Sequence, residues 1–160
     1  MDPTVCRETL TTLLGEETGV LGKLEALLER EHEVLQTQDV AALNATALQR
    51  QELIGALAHI EDQRRSLCRL HGYTADLPGL EKLLTWCDRS GSLMSRLRAC
   101  AEGAARCRDL NDRNGSLVNA RLKRVEGALD VLTGRGQQGV TYGPKGAYTP
   151  SRTRRVLGAA

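Results

Sequence analysis

From Leu10 onward, apolar pairs return every seven residues: Leu13-Leu14, Val20-Leu21, Leu27-Leu28 and Val34-Leu35, with Leu10 and Leu24 filling between. A repeat of seven keeps one stripe facing a partner along a whole helix and favours a left-handed coiled-coil contact. The pattern predicts a first helix over residues 3–36, about 50 Å long at 1.5 Å per residue. Asp2 is a good N-cap for it, and Pro3 sits at the tolerated first position. Glu16, Glu17, Glu25, Glu29, Glu31 and Glu33 are placed on the opposite face, and Gly15, Gly19 and Gly22 cost the helix some propensity.

A turn at Thr37-Gln38 and a cap at Asp39 predict a second, antiparallel helix. Its apolar side reads Val40, Leu43, Ala47, Leu53, Ile54, Leu57, Ile60, Leu67 and Leu70, and Gly72 supplies the left-handed stop. Between residues 44 and 52 the stripe thins, which fits either a solvated stretch or a partner-facing one. Residues 73–78 read as a loop, and Leu77, Leu80, Leu83, Leu84 and Trp86 suggest a short third helix. A last long helix is predicted from about Ser92 to Thr133, stopped by Gly134 and Gly136. Its inward positions alternate by four and three: Leu93, Leu97, Cys100, Ala104, Cys107, Asn111, Asn114 and Val118. After two steps of four, Val125, Leu129 and Leu132 continue the stripe, a shift that relaxes a supercoil locally.

Composition narrows the fold further. Leucine occurs 26 times, isoleucine twice and phenylalanine never, with one Trp and three Tyr. A sheet protein draws on Val, Ile, Tyr and Phe, whereas Leu, Ala, Glu, Arg and Gln build long helices. The expectation is therefore an all-α fold. It is an elongated antiparallel helical bundle, or coiled-coil-like hairpin, of three long helices plus one short helix, with a flexible C-terminal tail. Residues 1–134 make the helical domain, and residues 135–160 make a basic, Gly/Pro-containing tail unable to bury enough surface to fold alone.

Charge divides along the same line. The net +2 hides five cations and no acid in residues 135–160, against 17 basic and 20 acidic side chains in residues 1–134. An acidic helical body with a basic tail suits a partner protein better than a DNA duplex, because no recognition-helix motif accompanies Arg152, Arg154 and Arg155. No apolar run approaches the roughly 18–20 residues of a membrane span, and no signal peptide opens the chain, so neither membrane insertion nor secretion is expected. Five cysteines without a C-x-x-C pair read as reduced cytoplasmic thiols. Cys100 and Cys107 are separated by roughly 10 Å along one helix, too far for a disulfide. His32, His59 and His71 are scattered, so no metal site is expected. No phosphate-binding loop, dinucleotide fingerprint, nucleophile elbow or zinc-protease motif occurs, which leaves no catalytic residue and no cofactor to assign.

Asn111 and Asn114 fall on the predicted seam of the last helix, where a polar residue either sets register or offers hydrogen bonds to another chain's backbone. Leu117, Val118, Leu122, Val125, Leu129 and Leu132 are equally two-sided: intramolecular core, a homodimer seam, or a surface for a foreign helix.

The run Asn111-Asp112-Arg113-Asn114-Gly115-Ser116-Leu117-Val118, followed by Leu122, Val125, Leu129 and Leu132, resembles the signature helix of the FlgN family of flagellar export chaperones. Tyr142-Gly143-Pro144-Lys145-Gly146 is similar to that family's C-terminal turn, and the leucine-rich first hairpin is similar too. The likeness covers about residues 5–146, departing in the glycine-rich first helix and the arginine-rich extension after Tyr148. The resemblance implies a cytoplasmic chaperone of the flagellar type III secretion system. Its clients would be hook-associated proteins 1 and 3 of the hook–filament junction, held by their helix-forming C-terminal segments and delivered to the export gate. It further implies client binding by Asn111, Asn114, Leu117, Val118, Leu122, Val125, Leu129 and Leu132, and gate docking by Tyr142. The alternative expectation is a structural coiled-coil adaptor acting through homo-oligomerisation.

Overall fold

A computed structural model describes residues 2–134 and contains four helices: α1 (Pro3–Gln36), α2 (Val40–Leu70), α3 (Leu77–Cys87) and α4 (Ser92–Leu132). Among the described residues there is no strand, and the all-α bundle expected from the leucine pattern is what forms. Two compact units are distinguished, Met1–Val118 and Asn119–Ala160, with α4 contributing residues to both. Tyr142 and the basic tail lie outside the described residues.

Helix ends follow local chemistry. Asp2 accepts the Thr4 N–H at 2.9 Å and Asp39 accepts the Ala42 N–H at 3.0 Å, each satisfying a donor that the first turn would leave unpaired. Asp76 does the same for α3, taking the Gly79 N–H at 2.8 Å, so this helix begins at Leu77 and Pro78 falls in its first turn. Asp88 serves α4: one carboxylate oxygen accepts the Leu93 N–H at 2.8 Å and the other takes the Ser90 hydroxyl at 2.6 Å. These donors, Leu93 first and Ser90 next, hold the Asp88 carboxyl below its ordinary value. Gly72 closes the end of α2 at φ 77°, a left-handed conformation that only glycine adopts without strain.

Within Met1–Val118, α1 supplies the largest share of the core through Leu10, Leu13, Leu14, Leu21, Leu24, Leu27, Leu28 and Leu35. α2 runs antiparallel to it. Glu31 pairs with Arg50 and Glu17 with Arg64, both at 2.7 Å, so a step of fourteen back along α1 matches fourteen forward along α2. α3 closes the core with Leu80, Leu83, Leu84 and Cys87.

The apolar side of α2 is narrower than its sequence suggested. Val40, Ile54 and Leu70 are exposed, and Thr46, Ile60 and Cys68 are the buried residues of this helix. Nor does the whole acidic face of α1 meet water. Glu31 is buried beneath Arg50, and Glu17 is half-buried against Arg64. The thinned stretch of α2 is largely solvated, with Asn44, Leu48, Gln49, Gln51 and Glu52 exposed, while Thr46 is buried and Arg50 reaches Glu31 of α1.

Candidate protein-binding surface

α4 packs on α1 in a fixed register. The Cys100 thiol donates to the Leu14 carbonyl at 3.7 Å, the Cys107 thiol to the Leu21 carbonyl at 3.6 Å, and the Asn114 amide to the Leu28 carbonyl at 2.8 Å. Each donor lies 86 residues after its acceptor, so the two helices run parallel and stay in step through two full heptads. Small side chains allow the approach. Gly103 is buried, and a methyl group placed on it would already touch a Leu21 methyl at 3.5 Å.

This contact decides which side of the four-three alternation is spent inside. The buried line runs Leu93, Leu97, Cys100, Gly103, Cys107 and Asn114, with Leu110 and Leu117 half-buried. Asn111, expected on the seam, is exposed instead, and Val118 is also outside the buried line. A step of three from Cys100 to Gly103, where four was expected, moves the seam by one residue onto Leu110 and Leu117. Asn111 lines a shallow apolar groove of about 210 Å³ with Leu21, Leu24, Leu28, Ile54 and Leu57.

Asn114 is 1% exposed and belongs to a buried polar layer. Its amide also reaches the Glu31 Oε1 at 3.5 Å, the same oxygen that Arg50 holds. The Glu31 Oε2 is buried without a partner. Such a layer tolerates one alignment of three helices, because a one-residue slip would strand a carboxylate and a carbonyl in apolar surroundings.

Beyond this layer the apolar spacing continues while burial stops. Val118 is 39% exposed, Leu122 55%, Val125 56%, Leu129 53% and Leu132 82%. Within Asn119–Ala160, the spacing of Leu122, Val125, Leu129 and Leu132 puts these four on one face over about 15 Å of helix. Of the residues expected to bind a partner, Asn114 and Leu117 therefore turn into the bundle, Val118 is exposed, and Leu122, Val125, Leu129 and Leu132 form an open stripe.

The thiols offer no chemistry at this surface. Burial, with Cys87 beside it, pushes Cys6 up to about 12, and burial likewise raises Cys68, Cys87, Cys100 and Cys107. They stay protonated at neutral pH, as donation to backbone carbonyls requires. Among the described residues no group of three or more His, Cys, Asp or Glu could hold a metal ion, and no helix is long and apolar enough to cross a membrane.

The FlgN protein family matches residues 1–150, nearly the whole chain. The chain belongs to the FlgN family. It is similar to the flagella synthesis protein FlgN of Salmonella typhimurium and to that of Salmonella typhi, each 29% identical over 147 residues. Those alignments cover 89% of this chain and 91% of each relative. No solved structure gives a significant match. In this FlgN-family chain the run from Asn111 to Val118 includes the last buried residue of α4, Asn114, and the exposed Val118.

Proposed function

We propose that this chain is a cytoplasmic export chaperone of flagellar assembly. It binds the C-terminal helical segments of hook-associated proteins 1 and 3 along the open stripe of α4, prevents their premature assembly and delivers them to the export gate. The observation that carries this reading is the unbroken four-three spacing of Leu122, Val125, Leu129 and Leu132 on an exposed face. An amphipathic client helix laid against that face would bury what is now in water. Family membership and relatives named for flagella synthesis support the flagellar setting. Tyr142 is assigned gate docking on the family likeness of its Tyr-Gly-Pro-Lys-Gly sequence.

Calorimetry with purified hook-associated proteins tests the assignment. Leu122→Ser/Leu129→Ser should weaken binding by about tenfold or more, as loss of central apolar contacts does. Undiminished affinity would reject this surface. A coiled-coil adaptor acting through homo-oligomerisation would instead give a stable dimer by light scattering and no affinity for either client.

A further inference from the structure

A second surface lies near the start of α1 and owes nothing to the open stripe. Arg7 of α1 approaches Asp88 at 3.7 Å, and Asp88 caps α4 through Leu93, which precedes Asn114 by about 30 Å of helix. Here α3 turns Leu80, Leu83, Leu84 and Cys87 inward and leaves Trp86 38% exposed. Trp86 is the chain's one tryptophan, in a sequence without phenylalanine. Its ring leans on His71, centroids 5.3 Å apart. Tyr73, Pro78, Trp86 and Met94 line an open depression of about 660 Å³, with Lys82 and Arg98 on its walls. A neighbouring hollow shares Thr85 and Met94 with it and adds Arg89.

Charge there is one-sided. Glu81 is the one acid beside the tryptophan. The Asp88 carboxylate in the neighbouring hollow is engaged by Leu93 and Ser90. Among the described residues, none of Lys82, Arg89 and Arg98 has a carboxylate within ion-pair distance. Trp, Tyr, Met and Arg are the side chains that protein interfaces favour; here Trp86 and Arg98 are exposed, and Tyr73 and Met94 are half-buried. A cationic rim selects a partner of opposite sign. The chain's own tail, with five cations and no acid in residues 135–160, carries the wrong charge for this place.

We infer that the depression beside Trp86 is a docking site for an acidic polypeptide segment bearing a large apolar side chain. The apolar group seats against Trp86, Tyr73 and Met94, and flanking carboxylates face Lys82, Arg89 and Arg98. The site is separate from the client surface proposed on α4 and does not depend on it.

Because Trp86 is the chain's single tryptophan, its fluorescence reports occupancy directly. The probe is a fluorescein-labelled peptide of glutamates around one Leu-Phe pair, with a lysine counterpart and a single-stranded oligothymidine beside it. Titrated with the full-length chain, the glutamate peptide should show a saturable rise in anisotropy and, unlabelled, should shift Trp86 emission. Higher salt should weaken it. Lys82→Glu/Arg98→Glu, changing exposed side chains, and Trp86→Ala should each lower affinity by about tenfold or more while helicity is retained. Leu122→Ser/Leu129→Ser should leave the same titration unchanged. No response to the glutamate peptide, equal response to the lysine peptide, or preference for oligothymidine would overturn the inference. Self-association abolished by Lys82→Glu/Arg98→Glu would also overturn it, assigning the face to a second copy.

Discussion

Residues 92–117 and 118–132 belong to one helix and share one kind of spacing, yet they treat that spacing in opposite ways. The earlier part buries Leu93 and Leu97 and then the smaller or more polar Cys100, Gly103, Cys107 and Asn114. The later part exposes Val118, Leu122, Val125, Leu129 and Leu132. Burial in α4 therefore follows position along the helix, and hydrophobicity alone does not decide it. Small groups let α1 come close enough for side chains of α4 to bond its carbonyls, whereas interaxial distance grows with the side chains at a contact. The large groups forgo about 1.5–3 kcal/mol each that burial would return. A helix that leaves so much unclaimed in one stretch, while packing tightly in another, holds the bundle with one part and leaves the other in water, where the proposed client surface lies.

That division can be broken most sharply inside the core. Leu14→Ala or Leu83→Ala, at fully buried positions, should cost about 2–5 kcal/mol through lost transfer energy and the cavity left behind. Urea unfolding would measure it. A loss no larger than that of Leu129→Ala would erase the contrast. Next in size, Asn114→Ala should cost about 1–3 kcal/mol, because the Leu28 carbonyl loses its side-chain donor and Glu31 a neighbour. A Tm unchanged within error would show that the polar layer holds nothing.

Leu122→Ala and Leu129→Ala are expected to change stability by no more than about 0.5 kcal/mol, as exposed substitutions do. The same variants should lose client binding. Stability losses as large as those of core leucines would mean that the stripe is spent within the protein. The smallest effect is a pH response at the junction of α3 and α4. Asp88 has a depressed pKa in the folded chain, so its contribution is complete above the ordinary carboxylate value of 3.8 and disappears as pH falls through the lower folded value. Asp88→Asn should flatten that part of a Tm-against-pH curve. An unchanged acid slope would reject the role given to the cap.

Much of this architecture is legible from spacing. The heptads of α1, the restart at Asp39 and the stop at Gly72 rest on nearest-neighbour chemistry, and the helices begin and end where those signals stand. Asp76, directly before Leu77, carries the same kind of signal, whereas Asp88 is separated from Leu93 by four polar or small residues and its cap is set by the loop between α3 and α4. What spacing could not supply was the choice between Leu110 and Asn111, or between Leu117 and Val118. The close approach at Gly103 makes that choice, and it depends on two helices together. The burial of Glu31 was hidden for the same reason, since its partner Arg50 belongs to another helix and both look solvated when each helix is considered alone. Trp86 was read as part of the apolar side of α3, but an eleven-residue helix has room to bury only one narrow face.

The constant offset of 86 between α1 and α4 carries a consequence for how the chain is made. The α1–α2 hairpin closes over a short turn and can form as soon as both arms have left the ribosome. The ladder on α1 must wait for Cys100, Cys107 and Asn114 in turn. Contacts so distant along the polymer are slow to find one another, and until they do the apolar flank of the hairpin stands bare. Synthesis therefore finishes α4 last of the four helices, and the proposed client surface that it carries follows the hairpin it packs on.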